Sequence, residues 1–197
     1  MLQLVKTGEK LNLTKDNPSL KEVVVGLGWD LSPNVNYDLD VFAWALDVNN
    51  QMVDAAYHGN LSPFNGAIKH SGDNRSGAGD GDDEHIRVKL DQIPTNVQSI
   101  LFTVHIYDDE QANNRRTTSP FNFGQVRNAF VRVVDGSTYL STTENVLLKH
   151  DLSEDFSVFQ GLNVAKIYRH DGEWKYEACG GQNNGFNGMA DKALSIL

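Results

Sequence analysis

Apolar and polar positions alternate with a period of two along much of the chain, the pattern of strands with one buried face. In residues 84–90, for example, Ile86, Val88 and Leu90 alternate with charged or imidazole side chains. Residues 22–29 are instead apolar at both parities, as expected for a strand buried on both faces. Turn-forming residues separate such runs, so the pattern predicts strands joined by turns.

These runs predict about ten short strands and hardly any segment with a helical period. The chain has 197 residues and 40% hydrophobic composition, which is enough for one sizeable core. We therefore expect an all-β fold, an antiparallel β-sandwich with few short helices, in a single domain over residues 1–197. The predicted strands are residues 22–29, 41–46, 51–57, 67–70, 84–90, 97–107, 128–134, 146–152, 164–169 and 174–179.

The remaining segments are predicted from their composition. Leu2 and Leu4 should pair with Leu11 and Leu13 as a short hairpin closed by a glycine turn. Residues 108–120 are almost entirely polar and are expected to form a mobile surface loop. We further expect a short helical or irregular connection at 121–127, a loosened glycine-rich backbone at 180–185 and a helix at 189–197.

The charge of the chain is unevenly distributed. Its formal net charge is −9, and eight negative charges come from the loop at residues 71–84 together with Asp30, Asp38 and Asp40. The sequence contains no run of lysines or arginines that offsets them. This argues against nucleic acid as a partner, because phosphate binding requires cations.

The cysteine content and hydropathy of the chain bear on its location. A single cysteine, Cys179, cannot form an intrachain disulfide, which favours a reducing compartment. No uncharged apolar stretch approaches the length needed to cross a bilayer, and the N-terminal residues show no cleavage signal. We expect a cytoplasmic protein that does not insert into membranes.

The most unusual stretch is the loop at residues 71–84, which combines five carboxylates, one Asn side chain and four glycines. Ordering so much glycine costs conformational entropy, and the carboxylates repel one another. A hard cation that binds several oxygens relieves that repulsion. The oxygen donors favour calcium or magnesium over zinc, and the candidate ligands in this loop are Asp73, Asp80, Asp82 and Glu84.

A second acidic group should complete the site, since calcium takes about six to eight oxygens. Asp30, Asp38 and Asp40 are the candidates because they lie in a turn-rich stretch at strand ends. Alternation places Asp38 and Asp40 on the same side of an extended segment. The alternative interpretation is that all these acids are solvated turn residues that cap strands.

The loop does not match three known loop types. An EF-hand over residues 73–84 fails because Arg75, Gly77 and Ala78 occupy its third, fifth and central positions. A calcium-binding β-helix repeat would recur along the chain, and this segment does not. A phosphate-binding loop is excluded because the acids repel phosphate and no lysine follows.

Several motifs of the chain occur together in a known family. They are GWD at 28–30, DLD at 38–40, SGDNRSG at 71–77 followed by GDDE at 81–84, FGQVRNAF at 123–130 and YRHDGEW at 168–174. In this order, across residues 11–181, they resemble the TerD family of tellurium-resistance and stress-response proteins. The resemblance implies a β-sandwich that binds calcium in acidic loops at one end, in a bacterial cytoplasm. The segment at 113–120 and the Asn-rich tail at 180–188 depart from the family pattern.

The resemblance also implies ligands and partners. The partners are expected to be other tellurium-resistance proteins, including the membrane protein TerC. The sequence leaves open one calcium ion or two, and its eight candidate carboxylates are ample for a neighbouring pair. Contact with such a partner would bring the protein to the inner membrane without insertion. Carried over position by position, the ligands fall among Asp30, Asp38, Asp40, Asp73, Asn74, Asp80, Asp82, Asp83 and Glu84, with a backbone carbonyl from Gly77.

The expected function is a non-catalytic module that interacts with partners in a calcium-dependent manner, since no Ser-His-Asp or Cys-His pattern accompanies the loop. One alternative is a metal-assisted hydrolase, which requires an open coordination position. The other is a protein that binds a small anion or a cyclic nucleotide, as slime-mould members of the family are described to do. That function requires a basic cradle, and the sequence shows only scattered arginines.

Overall fold

The computed structural model describes residues 7–33, 35–113, 115 and 119–183. Within these ranges eleven strands form two antiparallel sheets. The expected all-β antiparallel sandwich is confirmed. None of the helices in the described ranges is long and apolar enough to cross a membrane.

The larger sheet has six strands. They are β1 (Lys10–Asn12), β3 (Leu39–Leu46), β4 (Met52–Ala56), β7 (Ser99–Ile106), β10 (Gly161–His170) and β11 (Glu173–Asn183). Their order across the sheet is β1-β11-β10-β7-β3-β4. Long non-local pairings therefore join the two ends of the described chain.

The smaller sheet has five strands. They are β2 (Glu22–Asp30), β5 (Ile68–His70), β6 (Glu84–Lys89), β8 (Arg127–Asp135) and β9 (Val146–Asp151). Their order is β5-β6-β2-β8-β9. Strand β2 lies at the centre, and its residues Val23 to Trp29 are buried at both parities, as the apolar run predicts.

Short helical turns connect the strands. They are α1 (Leu13–Asp16), α2 (Pro63–Gly66), α3 (Asp109–Ala112), α4 (Leu152–Asp155) and a 3₁₀ turn at Phe123–Gln125. The 3₁₀ turn has a reciprocal capping box, in which the side chains of Asn122 and Gln125 bond to each other's backbone amides. It confirms the short helical connection expected at residues 121–127.

The inward faces of the two sheets form one hydrophobic core. Large fully buried side chains such as Phe102 of β7 and Tyr176 of β11 fill its centre. Burial of these apolar faces is the main favourable contribution to folding. In a half-exposed strand such as β6, the alternation read from the sequence thus identifies the side that faces the core.

Three connections lie at the same end of the sandwich, because antiparallel pairing brings the end of one strand beside the start of the next. Leu27, near the end of β2, is opposite Glu84 at the start of β6. Asp40, at the start of β3, is opposite His105 near the end of β7. The connections that follow β2, β5 and β7 therefore begin and end there.

Three local predictions need correction. Strand β1 pairs with β11, and Leu13 begins α1 because its side chain enters the core. The backbone at 180–183 remains in β11, where Gly181 lies opposite Asn163 beyond a bulge. In the polar segment 108–120, residues 109–112 form α3. Leu2, Leu4 and the helix predicted at 189–197 lie outside the described residues.

The core position of Phe102 can be tested by truncation. Phe102→Ala should lower the free energy of unfolding by about 3–5 kcal/mol, since it leaves a cavity between the sheets. Val48→Ala, at a turn position that is 77% exposed, should change it by no more than about 0.5 kcal/mol. Denaturant unfolding followed by tryptophan fluorescence measures both. Equal effects would contradict the assigned core.

Candidate metal centre

The loop between β5 and β6 folds back over the end of β2. Gly77 has a φ of 66°, and an added Cβ there would lie 2.4 Å from the Trp29 indole ring. The Trp29 indole nitrogen donates to the carbonyl oxygen of Tyr37 at 3.0 Å. Glycine at position 77 thus allows the loop to pack against Trp29, while Trp29 also holds the segment that leads into β3.

The side chains of Asn74 and Asp83 hold the two halves of the loop together. The Asn74 carboxamide oxygen accepts from the backbone amides of Ser76 and Gly77, each at 3.2 Å. Its nitrogen donates to Asp83 Oδ1 at 3.0 Å, and Asp83 Oδ2 accepts from the Trp29 amide at 2.9 Å. Both predicted ligands therefore shape the loop.

Glu84 is fully buried at the start of β6. Its Oε2 accepts from the backbone amide of Val41 at 3.0 Å, and its Oε1 accepts from the backbone amide of Asn74 at 3.2 Å. Strand β4 pairs with β3 only as far as Ala43, so Val41 lies beyond the end of that ladder. One carboxylate therefore joins β6, β3 and the acidic loop.

His70 supports the same backbone position from β5. Its Nε2 donates to the carbonyl oxygen of Val41 at 3.1 Å, and its Nδ1 accepts from the amide of Gly72 at 3.0 Å. These two bonds assign the neutral tautomer with the proton on Nε2. Glu84 Oε2 lies 3.6 Å from the same Nε2.

Asp40, Asp73 and Glu84 form the carboxylate triad. Each offers an oxygen, and these atoms all lie within 4.8 Å of one another. Asp40 and Glu84 are buried, whereas Asp73 is exposed. Three carboxylates so close together repel one another, and a hard cation relieves the repulsion. The triad is therefore able to hold a metal ion.

The electrostatics of Asp40 reflect this crowding. Burial raises the pKa of Asp40 to about 7, and the negative charge of Glu84 adds to the rise. The His58 imidazole opposes the rise, since its Nδ1 lies 2.8 Å from Asp40 Oδ1. Without a cation, this carboxyl group holds its proton to unusually high pH.

Asp38 adjoins the triad and supplies the clearest sign that a cation fits. Its Oδ1 is buried and has no hydrogen-bond partner in the part of the chain that the structure describes. Its Oδ2 lies 3.5 Å from Nε of the exposed Arg75. Burial raises the pKa of Asp38, and the negative charge of Asp73 raises it further. A buried oxygen that lacks a donor is the kind of atom that a bound cation satisfies.

Like Asp38, Asn74, Gly77 and Asp83, three further predicted ligands lie outside the triad. Asp30, at the end of β2, accepts a hydrogen bond from the Asn128 side chain. Asp80 is exposed within the loop. Asp82 has a fully buried side chain whose two oxygens accept from Arg132, at 2.7 Å from Nε and 3.1 Å from Nη2. The structure thus separates Asp82 from Asp40, Asp73 and Glu84.

The position of Asp82 follows from the absence of a side chain at Gly26. A Cβ at residue 26 would lie 2.1 Å from Asp82 Oδ2, so this carboxylate occupies the space that any other residue would fill. Arg132 also pairs with Glu144, and Tyr139 is hydrogen-bonded to Asp82. Asp82 therefore anchors the acidic loop to β8 and to the following loop.

Sequence reasoning missed His58, His70 and Arg132. The histidines are spaced as ordinary strand and turn residues, and Arg132 lies fifty residues after Asp82. No local spacing signals any of the three. Their roles depend on which strands become neighbours.

A family model described as the TerD domain matches residues 1–192 of the chain. This chain belongs to the TerD family. It is 41% identical over 179 residues to general stress protein 16U of Bacillus subtilis (strain 168), a match that covers 88% of this chain and 86% of that protein. It is 39% identical over 178 residues to tellurium resistance protein TerD of Serratia marcescens, with the same coverage of 88% and 86%. The resemblance read from the motifs is confirmed.

The fold of this TerD-family chain also matches a solved structure. The crystal structure of a homologue of telluride resistance protein TerD from Streptomyces coelicolor A3(2) superposes with a TM-score of 0.69 at 25% identity. The match covers 85% of this chain and 92% of that one. The sandwich is therefore shared with a solved TerD homologue.

The raised pKa of Asp40 predicts a pH dependence of stability in metal-free protein. The folded-state pKa of about 7 exceeds the unfolded value of 3.8, so the contribution of Asp40 to stability falls as the pH rises between them. Asp40→Asn should be more stable than the native chain at about pH 8, and the difference should shrink towards about pH 5. Thermal unfolding in chelator measures it.

The variant Asp40→Asn provides its own control for other titrating groups. His85 and His105 have pKa values lowered by burial, and their contributions change with pH in the opposite direction. Both histidines are present in the native chain and in Asp40→Asn, so they cancel in the difference. A difference that stays constant with pH would contradict the assignment.

The anchor between Asp82 and Arg132 predicts a second stability effect. Arg132→Leu leaves the Asp82 carboxylate buried without its partner and should cost about 3 kcal/mol of unfolding free energy. Asp82→Asn combined with Arg132→Leu should recover part of this loss because the stranded charge is removed. Denaturant unfolding measures both. A double variant no more stable than Arg132→Leu would show that the charge pair is not the cause.

Proposed function

We propose that this protein is a calcium-binding, non-catalytic module of a bacterial tellurite-resistance and chemical-stress response. The observation that carries the proposal is the triad of Asp40, Asp73 and Glu84 beside a buried Asp38 oxygen that has no hydrogen-bond partner among the described residues. Calcium supplies positive charge there and takes several oxygens at once. The residues of this chain hold those oxygens in place before the ion arrives.

The donor chemistry favours calcium. All donors in the triad are carboxylate oxygens, and the Asp73 side of the site is open to solvent for further ligands. Calcium tolerates such an irregular, partly hydrated set of oxygens better than magnesium, which demands near-octahedral geometry. We propose one ion at the triad and a second that draws on the other acids of this end. The acids left for the second ion are Asp30 and Asp80.

A structural role for the ion accounts for the hydrogen bonds around it. Both oxygens of Glu84 accept from backbone amides, one on β3 and one in the acidic loop. A cation bound by Glu84 at the triad is therefore connected through these hydrogen bonds to both the loop and the start of β3. In this proposal calcium orders the loop at residues 71–83, and the ordered loop becomes a docking surface.

The family context sets the expected partners. The relatives include a tellurium resistance protein and a general stress protein by name. We propose that the partners are other tellurium-resistance proteins, with the membrane protein TerC among them, and that the protein acts in the bacterial cytoplasm. Peripheral contact with the inner membrane would then come through such a partner.

The direct test is thermal unfolding with calcium, with magnesium and with chelator. At calcium about a hundredfold above the dissociation constant, one site should add about 2.7 kcal/mol to the unfolding free energy. Asp40→Asn and Asp73→Asn should each reduce this gain. Asp109→Asn, an exposed acid at the same end but outside the triad, is the matched control and should keep it. No calcium-selective gain in the native chain would overturn the proposal.

Ordering of the loop has a separate readout. Amide hydrogen exchange at residues 71–83 should slow when calcium is added, whereas exchange in the centre of β7 should not change. If calcium stabilises the protein but exchange in the loop is unaffected, the ion binds without creating the proposed docking surface.

A further inference from the structure

A groove lies on the outer face of the six-stranded sheet, at the end opposite the triad. Cross-strand register places Lys10, Glu177 and Lys166 side by side on β1, β11 and β10. Two residues further along β10, Tyr168 is opposite Lys175 on one side and Ser99 on the other. These residues line a groove of about 470 Å³.

The lining of the groove is positively charged, whereas the chain as a whole is negatively charged. The chain carries a net charge of −9, yet the lining has three lysines and one carboxylate. Lys10 pairs with Glu177 at 3.5 Å, and Lys175 Nζ lies 3.1 Å from His170 Nδ1. This pairing uses the only carboxylate of the lining and leaves two lysine charges in the groove.

Lys166 occupies the centre of this arrangement. It is half-buried, and it has no hydrogen-bond or ion-pair partner among the residues that the structure describes. Its neighbours across the strands are Glu177 and Leu101, and the Glu177 carboxylate is already paired with Lys10. Lys10 and Lys166 thus flank a single carboxylate, so the groove keeps an excess of positive charge that an anion would offset.

We propose that this groove binds a small phosphate-bearing anion, with Lys166 and Lys175 as the charged contacts and the Tyr168 and Ser99 hydroxyls as hydrogen-bond donors. The volume is within the range of small-molecule sites. Lysine ammonium groups are common phosphate ligands. The groove lies along the strands about 20 Å from the triad, and the two sites share no residue.

The test uses inorganic pyrophosphate on the full chain in calcium-free buffer, because calcium would precipitate with it. Amide NMR should show saturable shifts at Ser99, Lys166, Tyr168 and Lys175. Removing one charged contact costs about tenfold in affinity, so Lys166→Gln should weaken binding about tenfold and the double variant with Lys175→Gln should weaken it further. Lys21→Gln, at an exposed lysine just before β2 of the other sheet, is the matched control and should bind as the native chain does.

Two further experiments distinguish a free phosphate-bearing anion from a lipid headgroup as the ligand. On the unmutated chain, sulfate should compete with pyrophosphate, whereas acetate at equal ionic strength should not. Co-sedimentation with vesicles of phosphatidylcholine and phosphatidic acid that requires Lys166 would assign the groove to a lipid headgroup. Absence of Lys166-dependent binding to either pyrophosphate or vesicles overturns the proposal. Calcium-induced stabilisation is measured separately, so either proposal can fail alone.

Discussion

The buried Glu84 carboxylate is the constraint on which the acidic end of this protein depends. A buried charge is costly unless it is hydrogen-bonded, and Glu84 accepts from the amides of Val41 and Asn74. Those bonds join the two sheets at a point where β3 has lost its β4 neighbour. The bond that closes the sandwich at this end therefore also brings a negative charge beside Asp40.

This arrangement stores electrostatic repulsion in the folded state. Asp40 cannot move away from Glu84 because β3 is paired with β7 along its length. Its pKa consequently rises to about 7, with burial as the larger cause and Glu84 as the next. A proton or a cation can relieve the repulsion, and a divalent cation does so for several carboxylates at once. Rigid strands thus keep the acids in place, whereas the glycine-rich loop lets Asp73 approach them.

Much of the fold could be predicted from the sequence, since alternation in segments such as 84–90 depends only on the two faces of a strand. The acids of the triad were among the predicted ligands for a similar reason, because acids next to strand ends meet at one edge. The separation of Asp82 from Asp83 could not be predicted. The side chains of adjacent residues point to opposite sides of an extended segment. Which of these two carboxylates contacts Trp29 and which contacts Arg132 depends on the pairing of β2 with β6 and β8. Asp82 fits only because Gly26, far away in sequence, leaves room for it.

The charge distribution links metal binding to partner choice. Eight of the acids lie in or beside the loops of one end, so that end repels anionic surfaces while it is free of cations. Two bound calcium ions would remove four of the nine net negative charges, all of them at that end. The lysine groove at the opposite end would not be affected, since salt screens charges over roughly 10 Å. Calcium would therefore change which partners can approach the acidic end without changing what the other end attracts.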